Sequence, residues 1–274
     1  MLLRILRSVA LVLSLASAAA AAEPQTDALA DALALPELFD IMSEEGAAYG
    51  RDLEEDLFSG GGGPRWHGEV AQIYDPEALF PAFMKSFAAE LEGADTATML
   101  DYLTSGEGAH IVRLEISARR AFLDDAVRDA AEARAEELSV QDDPRLAHLD
   151  RFIASADLLE GNVANALNGS LAFYRGLAES GALPEGLDEG AMLAQVWAQE
   201  PDIREETEIW LLSYLATSYA PLGDEELARY IDFYETEAGQ DLNRALFAAF
   251  DRVFTDVSHQ LGLAAGRQLA GQDL

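Results

Sequence analysis

Ile231-Asp232-Phe233-Tyr234-Glu235-Thr236-Glu237-Ala238-Gly239 is the stretch that sets the architecture. It reads as the end of one amphipathic helix and the start of the next, with Thr236 placed to cap the second helix through its hydroxyl. A shift of 131 residues lays Leu100-Asp101-Tyr102-Leu103-Thr104-Ser105-Gly106-Glu107-Gly108 beneath it, with Ser105 in the capping position. Beyond the turn, Ile111 falls over Leu242, Arg113 over Arg244, Ala118 over Ala249 and Phe122 over Val253. Glycine has poor propensity in a helical turn, so Gly108 and Gly239 are expected to allow a close backbone approach or an unusual turn angle. The chain therefore builds the same tight corner twice.

The rest of the sequence extends this pattern. β-Branched residues are few, alternation never persists, and Ala, Leu, Glu and Arg recur at helical spacing. The fold class expected is all-α, an array of antiparallel helix pairs forming two related helical halves packed together. The polar segment from Ser139 to Pro144 is the expected boundary, with an N-terminal half over 23–140 and a C-terminal half over 141–274. Helices are expected over Thr26 to Phe58 with a break near Leu35-Pro36, around Trp66 to Ile73, and from Asp75, Asp95 and Glu107. The last of these should run on to Leu138 without interruption. Leu146, Leu149, Phe152, Ile153, Leu158, Leu159, Val163, Leu167, Leu171 and Tyr174 keep one apolar face, which predicts a single long helix after Pro144. Further helices are expected near Leu187 to Gln199, Ile203 to Tyr219, Asp224 to Tyr234 and Glu237 to Leu269.

The N-terminus carries Arg4 and Arg7, a mostly apolar run from Ser8 to Leu15, and Ala20-Ala21-Ala22. This is the layout of a secretory signal, 1–22, with Glu23 first after cleavage. The apolar run falls short of the roughly 20 residues of a membrane span. The expected location is the periplasm or the exterior of a Gram-negative-type cell, with no stable membrane anchor once the signal is removed. Fifty acidic residues face 18 basic ones, a formal net charge of −32. Such a charge disfavours nucleic acid and anionic lipid as partners. Lys85 is the one lysine. The absence of cysteine excludes disulfides and thiolate chemistry.

Glu225-Glu226-Leu227, Ile231-Asp232-Phe233-Tyr234 and Thr236-Glu237-Ala238-Gly239-Gln240 together resemble the signature of the domain-of-unknown-function 2059 family. The resemblance covers about the last 60 residues. The first-half unit is a weaker copy, with Leu103 in place of the tyrosine and Ala109 in place of the polar residue. It implies a secreted or periplasmic helical protein and brings no reaction and no catalytic residues. The motif positions Tyr102, Ser105, Gly108, Phe233, Tyr234, Thr236 and Gly239 are expected to serve structure or interaction.

Chemistry-bearing motifs are missing. His67, His110, His148 and His259 stand in no helical metal-pair spacing, and carboxylate pairs are too common here to single one out. There is no nucleophile elbow, no Walker loop and no di-iron Glu-x-x-His pattern, so no catalytic residue, metal ligand or cofactor is expected. Gly60 to Gly63 reads as a flexible linker, Trp66 as the anchor of a surface turn, and Phe80, Phe83, Phe87, Trp197, Trp210, Tyr214, Phe247, Phe250 and Phe254 as core. The function expected is that of a non-enzymatic envelope protein acting by protein binding or self-association. A carrier or sensor of a hydrophobic small molecule is the alternative, and would need an apolar cavity lined by aromatics of both repeats. A hydrolase using His110 or His67 with carboxylates is the third reading.

Overall fold

Helical spacing becomes helix throughout. The computed structural model describes residues 25–59, 61–141, 143–182 and 188–272, and among them there is no strand. The signal-like segment 1–22 lies outside the described residues. Twelve helices are bounded: α1 (Leu35–Leu57), α2 (Gly63–Ile73), α3 (Pro76–Glu90), α4 (Thr96–Leu103), α5 (Gly106–Ala121), α6 (Asp125–Gln141), α7 (Arg145–Ser155), α8 (Leu158–Glu179), α9 (Glu189–Trp197), α10 (Glu200–Ser218), α11 (Asp224–Tyr234) and α12 (Glu237–Gln272). A helical stretch over 25–32 precedes α1, and the expected break is a turn at Leu33 and Ala34, the latter at φ 52°.

The start signals act as anticipated. Asp75 accepts a hydrogen bond from the Glu77 amide at 3.0 Å, and Asp95 accepts one from the Thr98 amide at 3.1 Å. These contacts satisfy amides that a helix start leaves without intrahelical partners.

Two expected long helices are broken instead. The first ends at Ala121, because Arg128 donates to the Phe122 carbonyl at 2.8 Å and Asp124 caps the Ala126 amide at 2.9 Å. The second ends at Ser155, where Asp157 takes φ 49°. Its freed carbonyls find donors from another helix. Gln240 Nε2 reaches the Ser155 carbonyl at 2.7 Å, and Asn243 Nδ2 reaches that of Ala156 at 2.6 Å. An apolar face can continue through such a break, so periodicity alone did not reveal it.

The glycine run and Trp66 also depart from expectation. The Gly62 amide donates to Glu54 Oε1 at 2.6 Å, and α2 already begins at Gly63, so this part of the run is fastened to α1. Trp66 lies inside α2, is 1% exposed, and donates from Nε1 to the Gly50 carbonyl at 2.8 Å. It is a buried helix-to-helix anchor.

The centre of the fold is α12, 36 residues long and therefore about 54 Å. It packs on α2, α3, α4, α8 and α11. Its register with α8 advances in the same direction along both chains: Asn168 donates to Asp251 at 2.8 Å, and Gly176 meets Gly262 further on. These two helices are thus parallel, and α9, α10 and α11 form the crossover between them. Their separation is set by glycine. A Cβ on Gly176 would lie 2.3 Å from the His259 carbonyl oxygen, and one on Gly262 would lie 2.1 Å from that of Phe173.

One continuous core spans both sides of position 140. Phe83 of α3 meets Phe250 of α12 at 4.6 Å between ring centroids, and Phe39 of α1 lies 5.3 Å from Phe83 and 5.9 Å from Phe250. On the other flank, α10 packs on α5 and α6. Arginines tie helices together, Arg119 to Glu45 in a half-buried pair, and Arg151 to Asp232 and Glu235, Arg204 to Glu160, and Arg267 to Glu69 nearer the surface. Exposed pairs of this kind contribute up to about 1 kcal/mol each, so they set partner choice among helices more than total stability.

Gly262→Ala is expected to destabilise the protein by about 1–3 kcal/mol or more, because the obstacle to its Cβ is backbone. The thermal midpoint should fall by roughly 2–4 °C per kcal/mol. Gly68→Ala, on an exposed face of α2 with open space around its Cβ, should leave the midpoint unchanged or raise it slightly. Thermal unfolding followed by circular dichroism measures both.

Candidate functional site

The seven motif residues come together as a pair of joined corners. Ser105 Oγ accepts from the Gly108 amide at 3.0 Å, and Thr236 Oγ1 accepts from the Gly239 amide at 3.1 Å. A Cβ on Gly108 would stand 2.3 Å from the Tyr102 carbonyl oxygen, and one on Gly239 2.2 Å from that of Phe233. Neither glycine has positive φ, so close approach is the reason for glycine at both. The second corner is held by one more contact, since Gln240 Nε2 also reaches the Tyr234 carbonyl at 2.6 Å.

The corners touch through equivalent residues. Tyr102 stacks on Phe233, its counterpart under the 131-residue shift, with ring centroids 4.1 Å apart and planes 8° from parallel. Arg229 of α11 pairs with Glu107 of α5 at 2.8 Å beside this stack. Phe233 and Tyr234 are buried. The seven positions build an internal joint, and the side chains of Tyr102, Phe233 and Tyr234 are occupied in holding it.

A tyrosine cluster surrounds one carboxyl next to the joint. Tyr219 and Tyr230 each donate to Glu115 Oε1 at 2.6 Å, and Tyr214 donates to the Glu115 backbone carbonyl at 2.9 Å. The Tyr230 and Tyr234 hydroxyls lie 3.5 Å apart, and Phe152 packs on Tyr219, Tyr230 and Tyr234. The Tyr102 hydroxyl is buried with no hydrogen-bond partner among the described residues. Glu115 is half-buried and has no ion-pair partner among the described residues. Burial pushes its pKa above the usual carboxylate range, against the opposing effect of the two phenol donors. Burial and the nearby Glu115 charge push Tyr219 and Tyr230 well above the ordinary phenol value, so both remain protonated donors. Sequence reasoning passed over Glu115 as one acid among fifty. Its signal was position, because it interrupts the apolar stripe of Ile111 and Ala118 on α5 and Phe122 just past its end.

Two of the four histidines meet an acid. His67 Nε2 lies 2.6 Å from Glu54 Oε2 and His259 Nε2 lies 3.1 Å from Glu179 Oε2, each a single acid at the surface. Among the described residues, no group of three His, Asp or Glu side chains is arranged to hold a metal ion. No helix among them is long and apolar enough to cross a membrane.

Open space lies along α8. A cleft of about 650 Å³ is bounded by α8, by Phe254, Ser258 and Leu261 of α12, and by Tyr49 of α1, with Gln199 and Glu206 at its far wall. It shares Asn162, Ala166 and Glu206 with a second opening of about 440 Å³ that continues past Ile203 and Thr207 to Trp210. There Arg119 lies over the Trp210 ring at 5.1 Å and is held by Glu45 through two bonds of 2.7 and 2.8 Å. Asn162 and Asn165 of α8, three residues apart and followed by the small residues Ala166 and Gly169, were the sequence signal for this cleft, and aromatic spacing drew attention elsewhere.

One aromatic expected in the core is outside it. Trp197 is 63% exposed at the end of α9, and Leu193, one turn earlier, is 39% exposed. Helix α9 has only nine residues and turns Met192 and Val196 inward, which leaves the Leu193 and Trp197 side facing solvent. Set against models of known families, characterised proteins and solved structures, the chain matches none of them.

Glu115→Gln should raise stability at neutral pH, since glutamine can accept from Tyr219 and Tyr230 without carrying charge. A raised folded-state pKa gives a contribution that is fully present below the ordinary carboxylate range and is lost as pH rises through the elevated value. The variant should therefore melt a few degrees above the parent at pH 8, with the gap closing as pH falls toward about 4.5. Paired melting curves across that range measure it, and a gap that is constant with pH would refute the assignment.

Proposed function

We propose that this is an exported cell-envelope protein that works without catalysis, by binding another protein through the apolar side of α9. The observation that carries the reading is Trp197, an exposed tryptophan with an exposed leucine one turn away. Tryptophan is enriched where interfaces concentrate their binding energy, and exposing it to water without a partner is unfavourable. The net charge of −32 favours a partner carrying basic residues, because two copies of this chain would bring like charges together.

The placement in the envelope rests on Arg4, Arg7, the apolar run and the alanines of 1–22, together with the likeness of residues 225–240 to the domain-of-unknown-function 2059 family. The carrier reading receives less support. The aromatics of the two corners pack on each other, and the cleft along α8 is open, with walls that mix polar and apolar side chains. The hydrolase reading, on His110 or His67, also receives less support, since His67 meets the single acid Glu54 and His110 makes no side-chain hydrogen bond to the described residues.

The test places a photo-crosslinking amino acid at position 197 of the full-length chain in its own host, with a matched control at exposed Glu132 on α6. The expected result is a discrete heterologous adduct at 197 that is missing at 132 and weakens as salt is raised. An adduct to a second copy would replace the proposal with self-association, and the same pattern at both sites would remove α9 as the docking side. The purified envelope form is expected to begin at Glu23.

A further inference from the structure

The α8 cleft takes no part in the α9 reading, and its walls define a ligand class of their own. Aromatic faces come first. Phe173, Tyr174 and Phe254 are half-buried at its sides, and Tyr49 stands at the rim, 48% exposed. Burial together with Asp52 and Asp56 keeps the Tyr49 phenol in its neutral, donating form.

The second feature is unspent neutral hydrogen-bonding capacity. Asn165, Ser170 and Ser258 make no side-chain hydrogen bond to the described protein, and Asn162 spends only Nδ2, on the Leu158 carbonyl at 2.7 Å. A primary amide and a hydroxyl each offer donor and acceptor within the same small area. Charge is the third. Glu206 is the one acidic side chain of the cleft and has no counter-ion among the described residues, whereas Arg119 at the far end is paired with Glu45.

These features discriminate among ligands. An anion is repelled by a chain of net charge −32. An acyl chain needs an enclosed apolar cavity, and this cleft is open and half lined by polar groups. A polycation would find other carboxylates over the whole surface and gain little from a site with one. A neutral pyranose fits each wall: its C–H faces lie on aromatic rings, and its hydroxyls, both donors and acceptors, meet amides, hydroxyls and a carboxylate able to accept from two neighbouring O–H groups.

We infer that the cleft along α8 is a binding site for a neutral saccharide chain, with Asn162, Asn165 and Glu206 as its hydrogen-bonding centre and Tyr49 and Phe254 as stacking faces. The size of the cleft lies within the roughly 300–1,000 Å³ of small-molecule sites, and its continuation toward Ile203 and Thr207 gives room for more than one sugar ring.

The test uses the chain from Glu23 to Leu274, titrated with maltotriose and with triacetylchitotriose, followed by amide nuclear magnetic resonance and calorimetry. A neutral-glycan array screens the same sample. Saturable binding of a neutral glycan, with shifts at the Asn162 and Asn165 side-chain amides, is the expected result. Asn165→Ala and Glu206→Gln should each weaken that binding roughly tenfold with no change in thermal midpoint, as loss of one or two hydrogen bonds requires. Trp197→Ala should bind the glycan like the parent, which separates this proposal from docking at α9. A blank array together with no response to either trisaccharide overturns the inference. So does spermidine binding at the cleft in place of glycan, and so does glycan binding that survives both cleft substitutions.

Discussion

The backbone contact between Gly176 and Gly262 is the constraint from which the remaining arrangement follows. With α8 and α12 this close, α12 becomes a strut with other helices gathered around it. Because the pair is parallel, the chain must return across the molecule between them, and α9, α10 and α11 are that return. Their passage brings α10 over α5 and so seats Tyr214 and Tyr219 beside Glu115. The break between α7 and α8 is settled by the same strut, since its Gln240 and Asn243 supply the donors for the carbonyls released there.

Polar groups in this fold work in two ways. Arginines join neighbouring helices from the surface, where ion pairs are weak but selective. Glu115 works from within, holding α5, α10 and α11 through phenols rather than through a counter-ion. A carboxyl satisfied by neutral donors keeps the cost of burying its charge, whereas a cation would have offset much of it. The joint between the corners is apolar by contrast, one ring laid on its sequence counterpart.

What could be read beforehand divides along the line between local and long-range physics. Caps at Asp75, Asp95, Ser105 and Thr236 depend on side chains within three residues, and each formed as expected. Close approach at Gly108 and Gly239 was legible for the same reason. The breaks after Ala121 and Ser155 were not. The latter depends on donors more than eighty residues away, and an apolar face runs through it undisturbed. Trp66 and Trp197 were both misplaced, in opposite directions, because tryptophan by itself does not say whether its partner belongs to the same chain. Glu115 and the α8 cleft share a further difficulty: their importance comes from which helices happen to converge on them.

The sequence order of α12 and its partners has a consequence for the order of events during synthesis. Residues 237–272 follow α2, α3, α4, α8 and α11 in the chain, yet all five need them to close their buried faces. Before α12 is made, the nascent segments lack these long-range contacts and cannot complete a core, whatever helices flicker within them. A helix synthesised after every partner it holds is a keystone, and the fold locks only once that helix is in place.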